Sequence, residues 1–277
     1  MEFKSPALRS KYKPGSLESR GPWSRSPVGV MALVSAIGGQ MSMTNGIEDT
    51  GEAIETPPLK VFGFVDGFNL YHALEKFEPL VPVADPHRYQ KYKWLCLMSL
   101  MNKFVKSRSE TLAGVELFTA YPNWHNTDDK RRRHETFVSA QKYKGVEVKL
   151  GEFKPKLVEC RAALGCRRTF NTNVEKQTDI NIAVSMIRRA PDYDKAILMT
   201  ADSDQVPTIE LLKGMYPEKR FAVLPPIGRG ANELVRACHE HFRMTEQHLI
   251  DCQLPNPLPI EKNGRVFSHL VKPTTWP

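Results

Sequence analysis

Three aspartates follow short apolar runs, at points where buried strands would end. Asp66 directly follows the run 61–65, and Asp202 and Asp204 come shortly after the run 196–200. In an open parallel sheet, reactive groups gather beyond the carboxyl ends of the strands. Neighbouring strands lie about 5 Å apart, so such carboxylates would repel each other, and a divalent cation is the usual remedy. Oxygen ligands favour Mg²⁺ or Mn²⁺ over zinc, so the pattern predicts an acidic site for one of these ions. Each aspartate taken alone would also suit a helix cap or a turn.

A fourth aspartate, Asp179, opens a predicted helix over 179–190. At helical spacing it shares a face with Ile182, Ala183, Met186 and Ala190. This pattern directs the Asp179 carboxylate toward the sheet. The alternative, an acid favoured by the helix dipole, explains a position near the helix start but not the choice of face.

The rest of the chain alternates between strand-like and helix-like patterns, and these elements must position the aspartates. Strands are predicted at 61–65, 115–120, 146–150, 196–200 and 221–224. Helices are predicted at about 67–77, 88–106, 127–143, 179–190, 205–214 and 232–242. This alternation predicts a single α/β domain, a three-layer α/β/α fold around a mostly parallel sheet of about five strands.

Both ends of the chain have the composition of extensions. Residues 1–58 mix Ser, Pro, Gly and Arg without a sustained period, which predicts a disordered N-terminal extension. Its first thirty residues could in part be upstream sequence. The Pro-containing segment 251–277 is predicted to be a linker or a packing arm, so the domain is assigned to residues 59–250.

The positive charge of the chain lies in the predicted domain and the C-terminal segment. The first 58 residues carry six basic and six acidic side chains, so the whole surplus of +8 lies in residues 59–277. A basic folded part favours polyanions such as nucleic acid or an anionic membrane surface. Five irregularly spaced cysteines and the lack of an apolar run of about 18–20 residues predict a cytoplasmic protein that does not enter a membrane.

Three short motifs stand in a fixed order along the chain: Asp66-Gly67-x-Asn69, Glu175-Lys176-x-Thr178-Asp179 and Ala201-Asp202-Ser203-Asp204. Together they resemble the NYN domain of the LabA-like branch of the PIN-like nucleases, from about Lys60 to His248. The late segment 228–234 also resembles the family. The segment 238–242 departs from it, because Cys238-His239-Glu240-His241 stands where the family often has an Ala-Asp pair before the aromatic residue.

The resemblance implies a compact α/β/α fold and metal-dependent cleavage of RNA, with Asp66, Asn69, Asp179, Asp202 and Asp204 as the catalytic site. It implies that Asp66, Asp202 and Asp204 hold one or two Mg²⁺ or Mn²⁺ ions. Asp179 would be a further metal ligand or would orient the attacking water. Asn69 would position the substrate or an outer-shell ligand.

A second set of residues could contact the RNA backbone: Lys130, Arg131, Arg132, Arg133, Arg167, Arg168, Ser203 and Arg229. Successive helical residues project about 100° apart, so the run 130–133 cannot form one flat patch, and a solvated helix face is the simpler interpretation. Ser203 suits a turn equally well. Structural zinc is disfavoured, since Cys160 and Cys166 are too widely spaced and no second close pair is present after them.

Two other functions fit parts of the pattern. A catalytically weak or inactive NYN-fold protein that binds RNA or acts as a scaffold would keep the fold, although this chain retains all four aspartates. A HAD-like phosphatase would need a second Asp two residues after Asp66, where this chain has Phe68. The sequence leaves the RNA substrate, homo-oligomerisation and protein partners open.

Overall fold

A computed structural model of the chain describes residues 57–76, 85–123, 128–160 and 168–276. Residues 1–56 of the predicted N-terminal extension lie outside the described residues, and so do Cys166 and Arg167. Within the described ranges, no helix is both long enough and apolar enough to cross a membrane.

Ten strands are present among the described residues. They are β1 (Leu59–Asp66), β2 (Glu110–Thr119), β3 (Glu147–Leu150), β4 (Glu152–Glu159), β5 (Thr169–Lys176), β6 (Lys195–Met199), β7 (Arg220–Val223), β8 (Glu240–His241), β9 (Leu258–Lys262) and β10 (Arg265–Leu270). Six of them form the central sheet in the order β3-β2-β1-β6-β7-β8, and every pairing in it is parallel. The α/β fold with a mostly parallel sheet is therefore confirmed, with β8 as an additional edge strand.

Seven α-helices accompany the strands in the part of the chain that the structure describes. They are α1 (Gly67–Glu75), α2 (Leu97–Asn102), α3 (Asp128–Tyr143), α4 (Thr178–Arg188), α5 (Val206–Met215), α6 (Asn232–Ala237) and α7 (Glu246–Asp251). The predicted helix 232–242 is too long, because α6 ends at Ala237 and residues 240–241 pair with β7.

The predicted helix over 88–106 is wrong. Only the 3-10 turn Gln90–Tyr92 and α2 are helical there. Between them the backbone is held by tertiary hydrogen bonds, because the Gln141 side chain donates to the Leu95 carbonyl oxygen at 2.7 Å and accepts from the Leu97 amide at 3.1 Å. The Cys96 amide donates to the Cys252 carbonyl oxygen at 2.7 Å. These contacts outweigh the helical periodicity of the segment.

The two faces of the sheet carry separate cores, as the alternation of β1 shows. Val61 and Val65 pack with residues of α1, α2 and α7 on one face. Phe62 and Phe64 pack with residues of α4, α5 and α6 on the other. Asp66 continues the Phe62-Phe64 alternation, so at the strand end it belongs to the α4 face.

Two antiparallel hairpins stand outside the central sheet, and neither was predicted. β4 and β5 pair along their whole length and connect β3 to α4. β9 and β10 are joined by Asn263-Gly264, both with positive φ, a two-residue turn that suits a hairpin. Leu254 and Leu258, before and at the start of β9, are buried against Trp94 and Ala140, so the C-terminal segment packs on the domain.

The order of the strands reverses between β1 and β6. From β1 the chain builds outward through β2 and β3, then returns to β6 on the other side of β1. The carboxyl ends of β1 and β6 therefore flank a topological switch point, the usual position of a ligand site in an open parallel sheet.

Candidate active site

Asp66 ends β1 and its side chain is almost completely buried, at 4 % exposed. One carboxylate oxygen, Oδ1, accepts from the Asn69 amide at 2.9 Å and caps α1, and Oδ2 accepts from the Thr200 hydroxyl at 2.8 Å. Burial raises the pKa of Asp66 from 3.8 to about 6, against the effect of these two hydrogen bonds. The charges of Asp179 and Glu175 raise it further.

Thr200 separates the strand-end acids. β1 and β6 are neighbours, as the predicted site required, but the register places Thr200 beside Asp66 and Asp202 two residues beyond. The Thr200 hydroxyl accepts from the Asp202 amide at 3.1 Å while donating to Asp66. Asp202 in turn accepts from the Asp204 amide at 3.0 Å and caps the 3-10 helix Ser203–Gln205. Both Asp66 and Asp202 are thus helix caps, as the simpler interpretation held, and each lies at the switch point.

Asp179 is exposed, so its predicted burial against the sheet is wrong. The face of α4 that is buried contains Thr178, Ile182, Ser185 and Met186. Asp179, in the first turn, lies at the rim of the cluster, where its charge interacts with those of Asp202 and Asp204. Loss of hydration is the largest cause that raises the pKa of Asp179, and these two neighbouring charges raise it further.

Two supporting residues were not predicted as part of the site. Gln205 is buried, and its Nε2 donates to the Asp179 carbonyl oxygen at 3.1 Å, which ties the start of α4 to the 3-10 helix after β6. Glu175 accepts from the amide and the hydroxyl of Thr178. Burial raises the pKa of Glu175, and the charge of Asp179 also raises it. Glu175 was visible in the sequence as part of a motif, whereas Gln205 had no signal beyond its position after Asp204.

Asn69 connects the two strand ends. Its Oδ1 accepts from the Ala201 amide at 3.2 Å, so the first turn of α1 is fixed to the segment after β6. Its side-chain NH₂ makes no hydrogen bond with the described residues and can donate to a substrate.

We call Asp66, Glu175, Asp179, Asp202 and Asp204 the acidic cluster. Within the described part of the chain, none of the five forms an ion pair with Lys, Arg or His. Nor, among those residues, do three or more Asp, Glu, His or Cys side chains converge closely enough to hold a metal ion. The donor chemistry, oxygen atoms with uncompensated negative charge, fits Mg²⁺ or Mn²⁺. The positions of the exposed carboxylates would have to adjust to complete a coordination shell.

The basic run of α3 divides into two pairs. Arg131 and Arg132 form ion pairs with carboxylates of the same helix, at 2.8 Å for Arg131, and they belong to a solvated face. Lys130 and Arg133 line a cavity that α3 forms with α1.

The remaining predicted contact residues are dispersed. Ser203 is exposed between the two aspartates of the 3-10 helix, and Arg229 lies half-buried in the loop after β7. Arg168 is exposed near the tip of the β4–β5 hairpin, at the far end from Glu175.

The cavity between α1 and α3, which we call the α1–α3 pocket, has a volume of about 330 Å³. Its aromatic lining comprises Phe68, Tyr71, Phe137, Phe153 and Trp276. Its basic lining comprises Lys93, Lys130, Arg133 and His134, and His72 also borders it. Gly67 and Phe68, the two residues after Asp66, also line the pocket.

The segment 238–242, which departs from the family pattern, lies away from the cluster. Glu240 contacts Lys195 at 2.9 Å and Arg220 at 3.1 Å, two residues at the starts of β6 and β7. This is the opposite edge of the sheet from Asp66, so the departure leaves the acidic cluster unchanged.

The chain shows similarity to known proteins in sequence and in structure. The chain is 24 % identical over 264 residues to the 6-hydroxy-3-succinoylpyridine 3-monooxygenase HspA of Pseudomonas putida, covering 80 % of this chain and 77 % of that protein. It resembles the crystal structure of a protein of unknown function from Vibrio parahaemolyticus with a TM-score of 0.42 and 17 % identity, covering 68 % of this chain and 94 % of the other. The family model of the NYN domain matches residues 60–246. That match spans more than half of the sequence and all of the acidic cluster, so the chain belongs to the NYN domain family, which has a PIN-like, nuclease-type fold.

Proposed function

We propose that this protein is a metal-dependent ribonuclease that hydrolyses RNA phosphodiester bonds at the acidic cluster. The observation that carries the proposal is an uncompensated group of carboxylates at the switch point between β1 and β6, in a chain of the NYN family. A site that repels itself electrostatically is ready to bind a divalent cation, and the net charge of +8 supports a polyanionic substrate.

The exposure of each residue in the acidic cluster suggests its role in the reaction. Asp202 and Asp204 are accessible and would hold Mg²⁺ or Mn²⁺ together with Asp66. When bound, such an ion would neutralise charge on the phosphoryl oxygens and lower the pKa of the attacking water. Asp179, at the rim, would serve as a further ligand or accept a hydrogen bond from that water. The Asn69 NH₂ group would donate to a phosphate oxygen, since its Oδ1 already accepts from Ala201.

Cleavage of single-stranded and structured RNA by the full chain tests this proposal. We expect cleavage with Mg²⁺ or Mn²⁺, its loss in EDTA, and a decrease of about a hundredfold or more in Asp202→Asn. The matched control is Glu210→Gln, an exposed carboxylate on α5, which should cleave like the unchanged protein. RNA binding without cleavage, unaffected by Asp202→Asn, would instead establish a binding or scaffold protein.

A second candidate is favoured by one comparison. The relative from Pseudomonas putida is named as a monooxygenase of a hydroxypyridine that carries a carboxylate, and the similarity covers 80 % of this chain. A monooxygenase transfers one oxygen atom of O₂ to its substrate and reduces the other to water with two electrons from a reductant. Oxygen uptake with 6-hydroxy-3-succinoylpyridine and NADH distinguishes this candidate, because a ribonuclease would show none.

A further inference from the structure

The α1–α3 pocket has features of a binding site that the acidic cluster does not use. Its volume of about 330 Å³ falls in the range of about 300–1,000 Å³ that is usual for small-molecule sites. It lies over the carboxyl end of β2, where Thr119 and Ala120 contribute to its floor. Its lining includes Gly67 and Phe68 at the start of α1 but none of the carboxylates of the acidic cluster.

The walls of the pocket present aromatic ring surface. Phe68 is 39 % exposed and Tyr71 is 45 % exposed, although both line a concave surface. The Phe68 ring stands edge-on to His72, with 4.3 Å between the ring centroids, and lies 6.0 Å from the ring of Phe153. Open aromatic faces in a cavity favour a planar ring, because stacking contributes beyond the burial of apolar area.

On the α3 side of the pocket, the positive charge has no anionic partner among the residues that the structure describes. Lys130, Arg133, His134 and Phe137 recur at helical spacing and line the pocket from one face of α3. Neither Lys130 nor Arg133 forms an ion pair within the part of the chain that the structure describes, whereas Arg131 and Arg132 on the outer face both do. The half-buried guanidinium of Arg133 is therefore available to an anion.

The other basic groups of the pocket are committed or uncharged. Lys93 pairs with Glu75 and lies 5.2 Å from the centroid of the Tyr71 ring. His134 contacts the Thr119 hydroxyl through Nε2 at 2.9 Å, and burial lowers its pKa to about 4, so the ring is neutral at pH 7. The charge of Arg133 acts on Tyr71, where it opposes the rise in pKa that burial causes. The phenol and the guanidinium thus face the same space.

We propose that the α1–α3 pocket binds a planar aromatic group that carries a phosphate or a carboxylate, with the ring against Phe68 and Tyr71 and the anion on Arg133 and Lys130. A nucleotide unit of single-stranded RNA and a free heteroaromatic acid share this chemistry. The proposal goes beyond the cleavage reaction and holds whichever reaction the acidic cluster catalyses.

Calorimetric titration of the full chain in EDTA tests the pocket separately from catalysis. The ligands are adenosine 5′-monophosphate, a short single-stranded RNA and pyridine-3-carboxylate. Adenosine and inorganic phosphate serve as the ring-only and anion-only probes. We expect at least one ring-bearing anion to bind about tenfold or more tightly than adenosine or phosphate. Tighter binding of the nucleotides would identify RNA as the natural ligand of the pocket. Tighter binding of pyridine-3-carboxylate would identify a small aromatic acid as that ligand.

Two arginines of the same helix provide the matched variants. Arg133→Gln should weaken binding of the ring-bearing anion about tenfold or more, because a charged hydrogen bond is lost. Arg132→Gln, on the solvated face, should leave binding unchanged. Phe68→Leu, which keeps an apolar side chain and removes the aromatic face, should also weaken binding. The proposal is overturned when no ring-bearing anion exceeds inorganic phosphate, or when Arg132→Gln weakens binding as much as Arg133→Gln.

Discussion

At the scale of single residues, the buried carboxylate of Asp66 explains most of the chemistry of the site. Both of its oxygens accept hydrogen bonds, from Asn69 and Thr200, yet burial still raises its pKa to about 6. The two hydrogen bonds therefore do not fully compensate the cost of burying the negative charge of an ionised Asp66. A divalent cation would compensate this cost and would lower that pKa again.

Asp66→Asn should stabilise the fold at high pH while abolishing cleavage. Because folding raises the pKa of Asp66, the neutral carboxyl group makes its full contribution to the free energy of unfolding below about pH 4. This contribution is lost as the pH rises through about 6 and the group ionises. The amide carries no charge, and its oxygen can still accept from the Asn69 amide. We compare the free energy of unfolding of Asp66→Asn with that of the unchanged protein at each pH. The difference should be about 2–3 kcal/mol more favourable to the variant at pH 8 than at pH 4.

Urea denaturation in EDTA at both pH values measures this gain. Asp251→Asn is the control, since hydrogen bonds from Gln247 and Lys103 lower the pKa of that exposed carboxyl group. Its removal should give no gain at pH 8. An equal effect of Asp66→Asn at pH 4 and pH 8 would show that burial of its charge is not the cause.

At the scale of elements, the close approach of α1 to β2 fixes the position of Asn69 and the pocket wall. A Cβ atom at Gly67 would lie 2.7 Å from the Phe118 carbonyl oxygen and 2.9 Å from Leu117 Cδ1. The first residue of α1 must therefore lack a side chain, and any larger residue must move the helix away from the strand.

Gly67→Ala should destabilise the protein by about 1–3 kcal/mol, because the added methyl group pushes α1 away from β2. The same displacement should weaken the hydrogen bond between Asn69 and the Ala201 amide and so reduce cleavage. Gly214→Ala is the matched control on α5, where a Cβ meets nothing within 4 Å. It should stabilise by about 0.5–1 kcal/mol through its helix propensity. Thermal unfolding of the two variants checks the opposite signs, and equal signs would contradict the packing account.

The main elements of the sheet could be predicted from the sequence because their apolar runs are buried on both faces. The bounds of β1, which ends at Asp66, and of β6, which ends three residues before Asp202, were predicted to within about two residues. The helix over 88–106 failed because the Gln141 side chain and the C-terminal segment hold residues 95–97 by tertiary contacts that no local pattern reveals. The β9–β10 hairpin does have a local signal in the sequence, the Asn263-Gly264 pair, which the predicted elements left out.

The candidate site was predictable only in part, for a related reason. Strand-end logic located Asp66, Asp202 and Asp204, because it depends on chain order alone. The exposure of Asp179 and the buried role of Gln205 depend on how α4 packs against the 3-10 helix after β6. Those two outcomes are set by three-dimensional packing and lie beyond sequence periodicity.

At the scale of the whole molecule, the charged residues at the carboxyl ends of the parallel strands are arranged differently from those at the amino ends. The carboxyl edge carries the acidic cluster, whose carboxylates form no ion pair with a Lys, Arg or His of the described residues. The opposite edge holds Lys195, which is completely buried and pairs with Glu110 at 3.1 Å and Glu240 at 2.9 Å. The buried charges at the amino edge are thus paired within the protein, whereas the carboxylates of the acidic cluster form no ion pair among the described residues.

Lys195→Met should destabilise the fold by about 3–5 kcal/mol, because it leaves the buried Glu110 and the half-buried Glu240 without their shared cation. Lys106→Met removes a lysine that is 63 % exposed and lies 3.6 Å from Glu240, and it should cost less than about 1 kcal/mol. Chemical denaturation at pH 7 compares the two variants. A small loss in Lys195→Met, similar to that in Lys106→Met, would contradict the role assigned to this edge.

Single-turnover cleavage of single-stranded RNA with Mn²⁺ in H₂¹⁸O tests most directly whether the acidic cluster catalyses hydrolysis of RNA. Hydrolysis at the acidic cluster predicts ¹⁸O in the terminal phosphate of one product, and no labelled product from Asp202→Asn. An absence of cleavage, or a label-free 2′,3′-cyclic phosphate that forms equally well in EDTA, would contradict hydrolysis at the acidic cluster.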